Sequence, residues 1–136
     1  MTKEMLKSFR NKNIEIKKLQ QSMEEIQARA ELQASMLSHT PRVTNENDCK
    51  ILKSIVKMEE TKQKLALEIA DFADEMQNVY DCIRSIQDSR IRTVFEMRYL
   101  HGESFETIAS DLHYSWRWVH KLHSQGLQEV EGYVCK

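Results

Sequence analysis

The chain has 136 residues, enough for one ordinary domain or for a small domain joined to an extended element. Charged residues make up 30% of it and there are only three glycines and one proline, a composition typical of a largely helical protein. The formal net charge of −1 argues against a generic nucleic-acid coat, and leaves local basic patches as the places where nucleic acid would bind.

The sequence also predicts the compartment of the protein. No run of 18 apolar residues occurs, so we expect no membrane span. The first ten residues, MTKEMLKSFR, lack the apolar core of a signal peptide. Cys49, Cys82 and Cys135 are widely spaced and form no CxxC pair, which fits reduced thiols. These features favour a cytoplasmic protein.

The first predicted helix runs from Met5 to about Leu37. Its apolar face consists of residues at helical spacing, namely Phe9, Ile16, Leu19, Met23, Ile26, Ala30 and Leu37. Polar Lys12 and Gln33 lie on the same face, so the stripe is imperfect.

Residues 38 to 47, SHTPRVTNEN, are the one break in the first half of the chain. Pro41 lacks a backbone donor and disfavours helix at Thr40, so we expect a connecting loop. Asn47 or Asp48 is expected to cap the helix that follows, because their side chains accept hydrogen bonds from the first turn.

The most regular pattern extends from Asp48 to about Gln87. Steps of four and three alternate over five heptads through Ile51, Ile55, Met58, Lys62, Leu65, Ile69, Phe72, Met76, Val79, Ile83 and Ile86. This spacing predicts a coiled-coil seam with one polar residue, Lys62, which can fix register or oligomeric state. The partner of the seam is either the 5–37 helix folded back as a hairpin or a second copy of the chain; the sequence leaves both open.

A further helix is expected to start at Asp88 or Ser89 and to span about residues 90 to 101. Gly102 follows at the position where a glycine commonly ends a helix. This helix would brace the two short helices that come next, since those two alone bury too little surface to be stable.

Residues 104 to 127, SFETIASDLHYSWRWVHKLHSQGL, predict two short helices around a three-residue turn. The apolar and small residues fall at the steps that a helix-turn-helix needs, namely Ile108, Ala109, Leu112, Tyr114, Val119 and Leu122. Ser104 and Ser115 are expected to cap the two helices. His113 stands where the turn asks for a residue that tolerates positive φ.

Val119 and Leu122 direct one face of the second helix inward, so its opposite face is polar and is expected to enter the major groove of DNA. The expected DNA-binding residues are Thr107, Ser115, Trp116, Arg117, His120, Lys121 and Ser124. Arg117 suits a bidentate guanine contact and Lys121 a phosphate or a guanine. The alternatives are a solvated helix face and, for Trp116 and Trp118, packing against the bracing helix.

Other chemistry is not expected. His120 and His123 are three residues apart, but no cysteine or carboxylate at suitable spacing completes a metal site with them. The sequence has no Gly-rich phosphate loop, no HExxH and no catalytic Ser/His/Asp grouping. We therefore expect no enzyme activity, no cofactor and no metal.

The run from Ser85 to Val130 resembles region 4 of the sigma-70 family of RNA polymerase subunits. The resemblance is carried by Arg92, Val94, Arg98, Tyr99, Gly102, Ser104, Ile108, Ala109, Leu112, Ser115, Val119 and Leu127. It extends over residues 14 to 130 in small phage- and prophage-encoded proteins of Gram-positive hosts, which carry this module behind a helical half. Two features depart from the pattern: Thr107 stands where glutamate is common, and Trp116 and Trp118 stand where Arg, Glu or Thr is usual.

The residues and the resemblance together predict an all-α protein. Residues 1–87 are expected to form a long helical hairpin or coiled coil, and residues 88–136 a sigma region-4-like three-helix helix-turn-helix domain. The resemblance implies a transcriptional regulator that binds double-stranded DNA in the bacterial host cytoplasm. The helical half would dimerise through the 48–87 helix or dock on RNA polymerase. The alternative function is an adaptor that binds RNA polymerase or another regulator without touching DNA.

Overall fold

The computed structural model describes residues 1–37 and 46–134, and all regular structure within them is helical. The α-helices are α1 (Lys3–Leu37), α2 (Glu46–Arg84), α3 (Ser89–Phe95), α4 (Phe105–Leu112) and α5 (Trp116–Glu131). A π-helical turn, Glu96–Leu100, continues α3. The all-α prediction is confirmed. None of the helices in this part of the chain is long and apolar enough to cross a membrane.

The start of α2 differs slightly from the sequence prediction. Of the expected loop, residues 38–45 lie outside the described residues. α2 begins at Glu46, so Asn47 and Asp48 lie inside the helix rather than at its N-cap, and that prediction was wrong. Hydrogen-bonding side chains near a helix start are compatible with several cap positions, which is why such boundaries shift by one or two residues.

The described helices form two compact units. Of the described residues, the first unit contains 1–15 and 71–134, and the second contains 16–37 and 46–70. α1 and α2 each begin in one unit and continue into the other. Helices α3 to α5 therefore share a unit with the first turns of α1 and the last turns of α2.

Part of the core of the first unit lies between α3 and α5. Ile91, Val94 and Phe95 on α3 are buried, as are the α5 residues Val119, Leu122 and Val130. Gly126 lets the two helices approach closely: a Cβ atom added there would lie 2.7 Å from Cγ2 of Ile91 and closer still to the ring of Phe95. The helix expected at residues 90 to 101 was predicted to brace the two short helices that follow it, and α3 packs against α5 in this way.

The start of α1 packs into the same unit. The ring of Phe9 stacks on Phe72 of α2 at a centroid distance of 5.0 Å. Buried Asn13 donates from Nδ2 to the carbonyl oxygens of Tyr99 and Leu100, at 3.3 and 3.0 Å. Carbonyl oxygens in the last turn of a helix have no backbone N–H partner within the helix. The side-chain amide of Asn13 on α1 donates to these two.

Gly102 ends this helix as expected. Its φ of 73° is in the left-handed region that favours glycine. A Cβ atom there would also lie 2.9 Å from Cγ1 of Ile14, so both the backbone conformation and the close approach of α1 require a glycine.

In the second unit the α2 seam residues are half-buried, namely Ile51, Ile55, Met58, Lys62, Leu65 and Ile69. The ammonium of Lys62 lies 3.6 Å from the carboxylate of Glu59, one helical turn earlier. On α1, Leu19 and Ile26 are exposed, whereas the predicted stripe placed them on the buried face. The half-buried residues of α1 in this unit include Met23, Gln27 and Ala30, a heptad pattern that admits one polar residue.

Candidate nucleic-acid interface

The α4 and α5 helices are joined by residues 113–115. Ser104 Oγ accepts from the backbone N–H of Thr107 at 3.2 Å, and Ser115 Oγ accepts from that of Trp118 at 3.1 Å. Both predicted caps are confirmed. His113 adopts φ 57°, as expected, and its N–H and that of Tyr114 close the end of α4 on carbonyl oxygens of Ala109 and Ser110. The caps and the turn fix where α5 begins.

The inward positions of α4 and α5 agree with the sequence pattern. Ile108, Ala109, Val119 and Leu122 are buried. Leu112 and Tyr114 are half-buried. This packing holds one side of α5 against the unit and leaves the other side to solvent.

Three of the expected DNA-binding residues are exposed on the outer side of α5. Arg117, Lys121 and Ser124 lie one helical turn apart, on adjacent positions of one face. Thr107 is exposed on α4, where its hydroxyl shares a hydrogen bond of 2.9 Å with the hydroxyl of Ser104. Ser115 is exposed, and its oxygen accepts the capping hydrogen bond, which leaves its hydroxyl hydrogen and a second lone pair for a ligand.

His120 is not a freely exposed member of this face. Its ring lies between Trp116, at a centroid distance of 3.8 Å, and Phe105, at 4.2 Å. Its Nε2 atom is buried and has no hydrogen-bond partner among the described residues. The helical wheel placed His120 outward because it takes no account of Phe105, which reaches the helix from α4.

The two tryptophans occupy different surroundings. Trp116 is 54% exposed and covers His120. Trp118 is half-buried and lies between two cations, 5.9 Å from the guanidinium of Arg90 on α3 and 5.4 Å from the ammonium of Lys121. Trp118 therefore packs toward the bracing helix α3, and Trp116 does not. Contact with the ring positions the Lys121 ammonium near the start of α5.

The arginines of the bracing helix make contacts within the chain. Arg90 pairs with the N-cap residue Asp88 at 3.0 Å, and this pair lowers the pKa of the Asp88 carboxyl. The guanidinium of Arg92 donates to the carbonyl oxygens of Ile86 and Gln87. Arg92 thus stabilises the connection between α2 and α3.

A buried polar pair lies behind α5. The hydroxyl of Tyr99 and Nε2 of His123 are 2.6 Å apart. Burial raises the pKa of Tyr99 to about 12. Burial, aided by the positive charge of Arg98, lowers the pKa of His123 to about 4. Both groups are therefore neutral near pH 7, and the pair ties the π-helical turn to α5 without a buried charge.

The sequence reasoning missed the cations that α1 brings to this region. Lys3, Lys7 and Arg10 lie on one face of α1 and line a pocket together with Arg98, His120 and Ser124. Their spacing of four and three residues was visible in the sequence, but such a pattern is common on solvated helix faces. Only the packing of α1 beside α5 shows what they face.

Comparison with known proteins identifies no relative of this chain. No protein-family model, no curated protein and no solved structure matches this chain.

Proposed function

We propose that the protein is a sequence-specific DNA-binding transcriptional regulator, in which α4 and α5 act as a helix-turn-helix. The observation that supports this is the geometry around the turn. Two serine caps and a left-handed His113 fix the start of α5, and Arg117 and Lys121 project from its exposed side. A helix presented in this way fits the major groove, where Arg117 can bind a guanine and Lys121 a phosphate or guanine.

The long helices supply the second requirement of such a regulator. A single helix-turn-helix contacts few base pairs, so specific binding needs two half-sites or a tethering partner. We propose that α2 supplies this by joining two copies of the chain or by docking on RNA polymerase. The resemblance to phage and prophage proteins supports a location in the cytoplasm of a bacterial host.

The test is a gel shift with the DNA upstream of the protein's own gene, at two salt concentrations. The Arg117→Ala/Lys121→Ala variant is compared with Lys50→Ala/Lys53→Ala, which removes two exposed cations from α2. We expect wild-type binding to weaken as salt rises. The Arg117→Ala/Lys121→Ala variant should lose ~1–3 kcal/mol of specific binding free energy. The Lys50→Ala/Lys53→Ala variant should bind like the wild type. Equal binding by the two variants would contradict the proposal.

A second candidate function is supported by Trp116. A tryptophan that is 54% exposed beside the outer face of α5 is an unusual feature for a base-reading surface, and tryptophan is enriched at the centres of protein interfaces. From Ile86 onward, six Lys/Arg stand against seven Asp/Glu, which also favours an adaptor that binds RNA polymerase or another regulator. Retention of polymerase on the immobilised protein, lost in Trp116→Ala while no DNA is bound, would favour this function.

A further inference from the structure

A pocket of about 310 Å³ lies where α1, the π-helical turn and α5 meet in the first unit. α1 contributes Lys3, Lys7 and Arg10, and the π-helical turn contributes Arg98. α5 contributes His120, His123 and Ser124. The volume is at the lower end of the range for small-molecule sites, so the pocket has room for a phosphate and part of the group that carries it.

The described residues that line the pocket carry positive charge and no negative charge. Four cations line the pocket and, among the described residues, no carboxylate does. Arg10 donates to the carbonyl oxygens of Arg98, Gly102 and Glu103, and Arg98 donates to that of Glu103, so that backbone dipoles and not carboxylates hold the two guanidiniums. Burial and the charge of Arg10 lower the pKa of Arg98. A bound anion would relieve this repulsion.

The guanidinium of Arg98 is also held in place. Its central carbon lies 4.0 Å from the centroid of the Phe105 ring, which forms part of the wall. A guanidinium fixed between an aromatic ring and a backbone carbonyl loses little conformational entropy when an oxyanion binds to its remaining N–H groups.

Three further polar side chains complete the lining. Asn11 and Ser124 line the pocket with an amide and a hydroxyl. His120 lines it as well, and its buried Nε2 has no hydrogen-bond partner among the described residues. Lysine ammonium groups, arginine guanidiniums and amide and hydroxyl donors around one cavity are the set that binds phosphate oxygens.

We propose that this pocket is a phosphate-binding site that borders the outer face of α5 and shares Ser124 with it. His120 and Ser124 line the pocket and also adjoin Arg117 and Lys121 along α5, so a phosphate in the pocket would lie beside the proposed base-reading face. The phosphate belongs either to the backbone of DNA bound at that face or to a free phosphorylated small molecule. A phosphate of the DNA backbone rests on the proposed function, whereas a free phosphorylated small molecule does not.

Lys3→Gln/Lys7→Gln in the full chain is the test variant, because both side chains are exposed and the change leaves the hydrogen bonds of Arg10 intact. The control is Lys50→Gln/Lys53→Gln on α2. In the first arm, inorganic phosphate is titrated against chloride of equal ionic strength, and the ring resonances of His120 are followed by NMR. We expect saturable shifts for the wild type and the control, and binding weaker by roughly tenfold in the test variant.

In the second arm, the affinity for duplex DNA is measured over a range of salt concentrations. Each phosphate that is no longer neutralised makes the slope of log K against log [salt] shallower by ~0.9. The pocket holds one phosphate, so the test variant should lose roughly 1 from the slope while the control loses none.

The arms separate the sources of the phosphate. Saturable binding of inorganic phosphate that the test variant weakens supports a site for a free ligand, even if the wild type binds no DNA and the proposed function fails. A shallower salt slope without binding of inorganic phosphate supports a site for the DNA backbone. If the test variant matches the control in both arms, the pocket is not a phosphate site.

Discussion

At Gly126 the backbone of α5 passes against the rings and methyl groups of α3. A Cβ atom there would meet the Phe95 ring and would lie 2.7 Å from Cγ2 of Ile91. We expect Gly126→Ala to destabilise the protein by ~1–3 kcal/mol because α3 and α5 must move apart. Urea unfolding followed by circular dichroism measures this change.

Gly132 provides the matched control. A Cβ atom added at Gly132 would meet nothing within 4 Å, and the residue has φ −79°, which any L-amino acid adopts. Gly132→Ala should therefore change the free energy of unfolding by no more than ~0.5 kcal/mol. Equal effects of the two substitutions would show that α3 and α5 are not in close contact at Gly126.

The buried pair of His123 and Tyr99 makes stability depend on pH. The pKa of His123 is about 4 in the folded protein, below the ~6.5 of the unfolded chain, so the unfolded chain binds more protons between these values. The contribution is present in full above pH ~6.5 and is lost as the pH falls toward 4. Between pH 7 and pH 4.5 we expect His123 to account for a loss of ~2 kcal/mol.

The measurement is urea unfolding at pH 7 and pH 4.5. His123→Gln should show a smaller loss than the wild type, whatever its stability at pH 7, because glutamine does not titrate. His101→Gln, at an exposed position, should keep the wild-type dependence. A midpoint near 6.5 for the His123 ring in an NMR titration of the folded protein would contradict the expectation.

At the scale of the element, the hydroxyl of Ser115 defines the first turn of α5. Ser115→Ala removes the acceptor for the N–H of Trp118, and we expect a loss of ~1 kcal/mol in the free energy of unfolding. Ser110 is exposed and lies within α4. Ser110→Ala should be neutral or slightly stabilising because alanine has the higher helix propensity. Thermal unfolding compares the two; an unchanged melting temperature for Ser115→Ala would mean that the cap is redundant.

The caps and the turn were predictable because they depend on residues close together in the sequence. Ser104, His113 and Ser115 each satisfy backbone groups within four residues of themselves, so a sequence pattern specifies them. The surroundings of His120 were not predictable in this way. They depend on Phe105 of α4, and the pocket beside it depends on α1, whose packing partner no local pattern reveals.

The long helices also combine features that the sequence predicted with features that it did not. A heptad pattern predicted α2 and the half-buried seam from Ile51 to Ile69. On α1 the pattern led to Leu19 and Ile26, which are exposed, while Asn13 is buried. Asn13 is buried because its amide binds the carbonyl oxygens at the end of the π-helical turn, and hydrophobicity alone cannot indicate such a partner.

At the scale of the whole molecule, α2 presents an apolar surface outside its seam. Leu52, Val56 and Leu67 are 62%, 58% and 67% exposed and, at 100° per residue, lie within about 60° of one another. Exposed apolar residues on one side of a helix indicate a contact surface. We expect a dimer, so light scattering should give twice the chain mass of 16.1 kDa.

Leu52→Glu/Val56→Glu should return the mass to that of one chain, because it places charge in the contact. Lys57→Glu, on another side of α2, should leave the dimer intact. A wild-type mass of one chain would show that this surface does not join two copies, and the two half-sites of DNA would then need another tether.

The division of the first unit between the two ends of the chain has a consequence for synthesis. Arg10 and Asn13 bind carbonyl oxygens of residues 98 to 103, which leave the ribosome 86 to 93 residues later. At about 5–20 residues per second this interval is roughly 4 to 18 s, during which Leu6 and Phe9 have no completed site to enter. We therefore expect the first turns of α1 to stay without these partners until residues 98–103 have been translated.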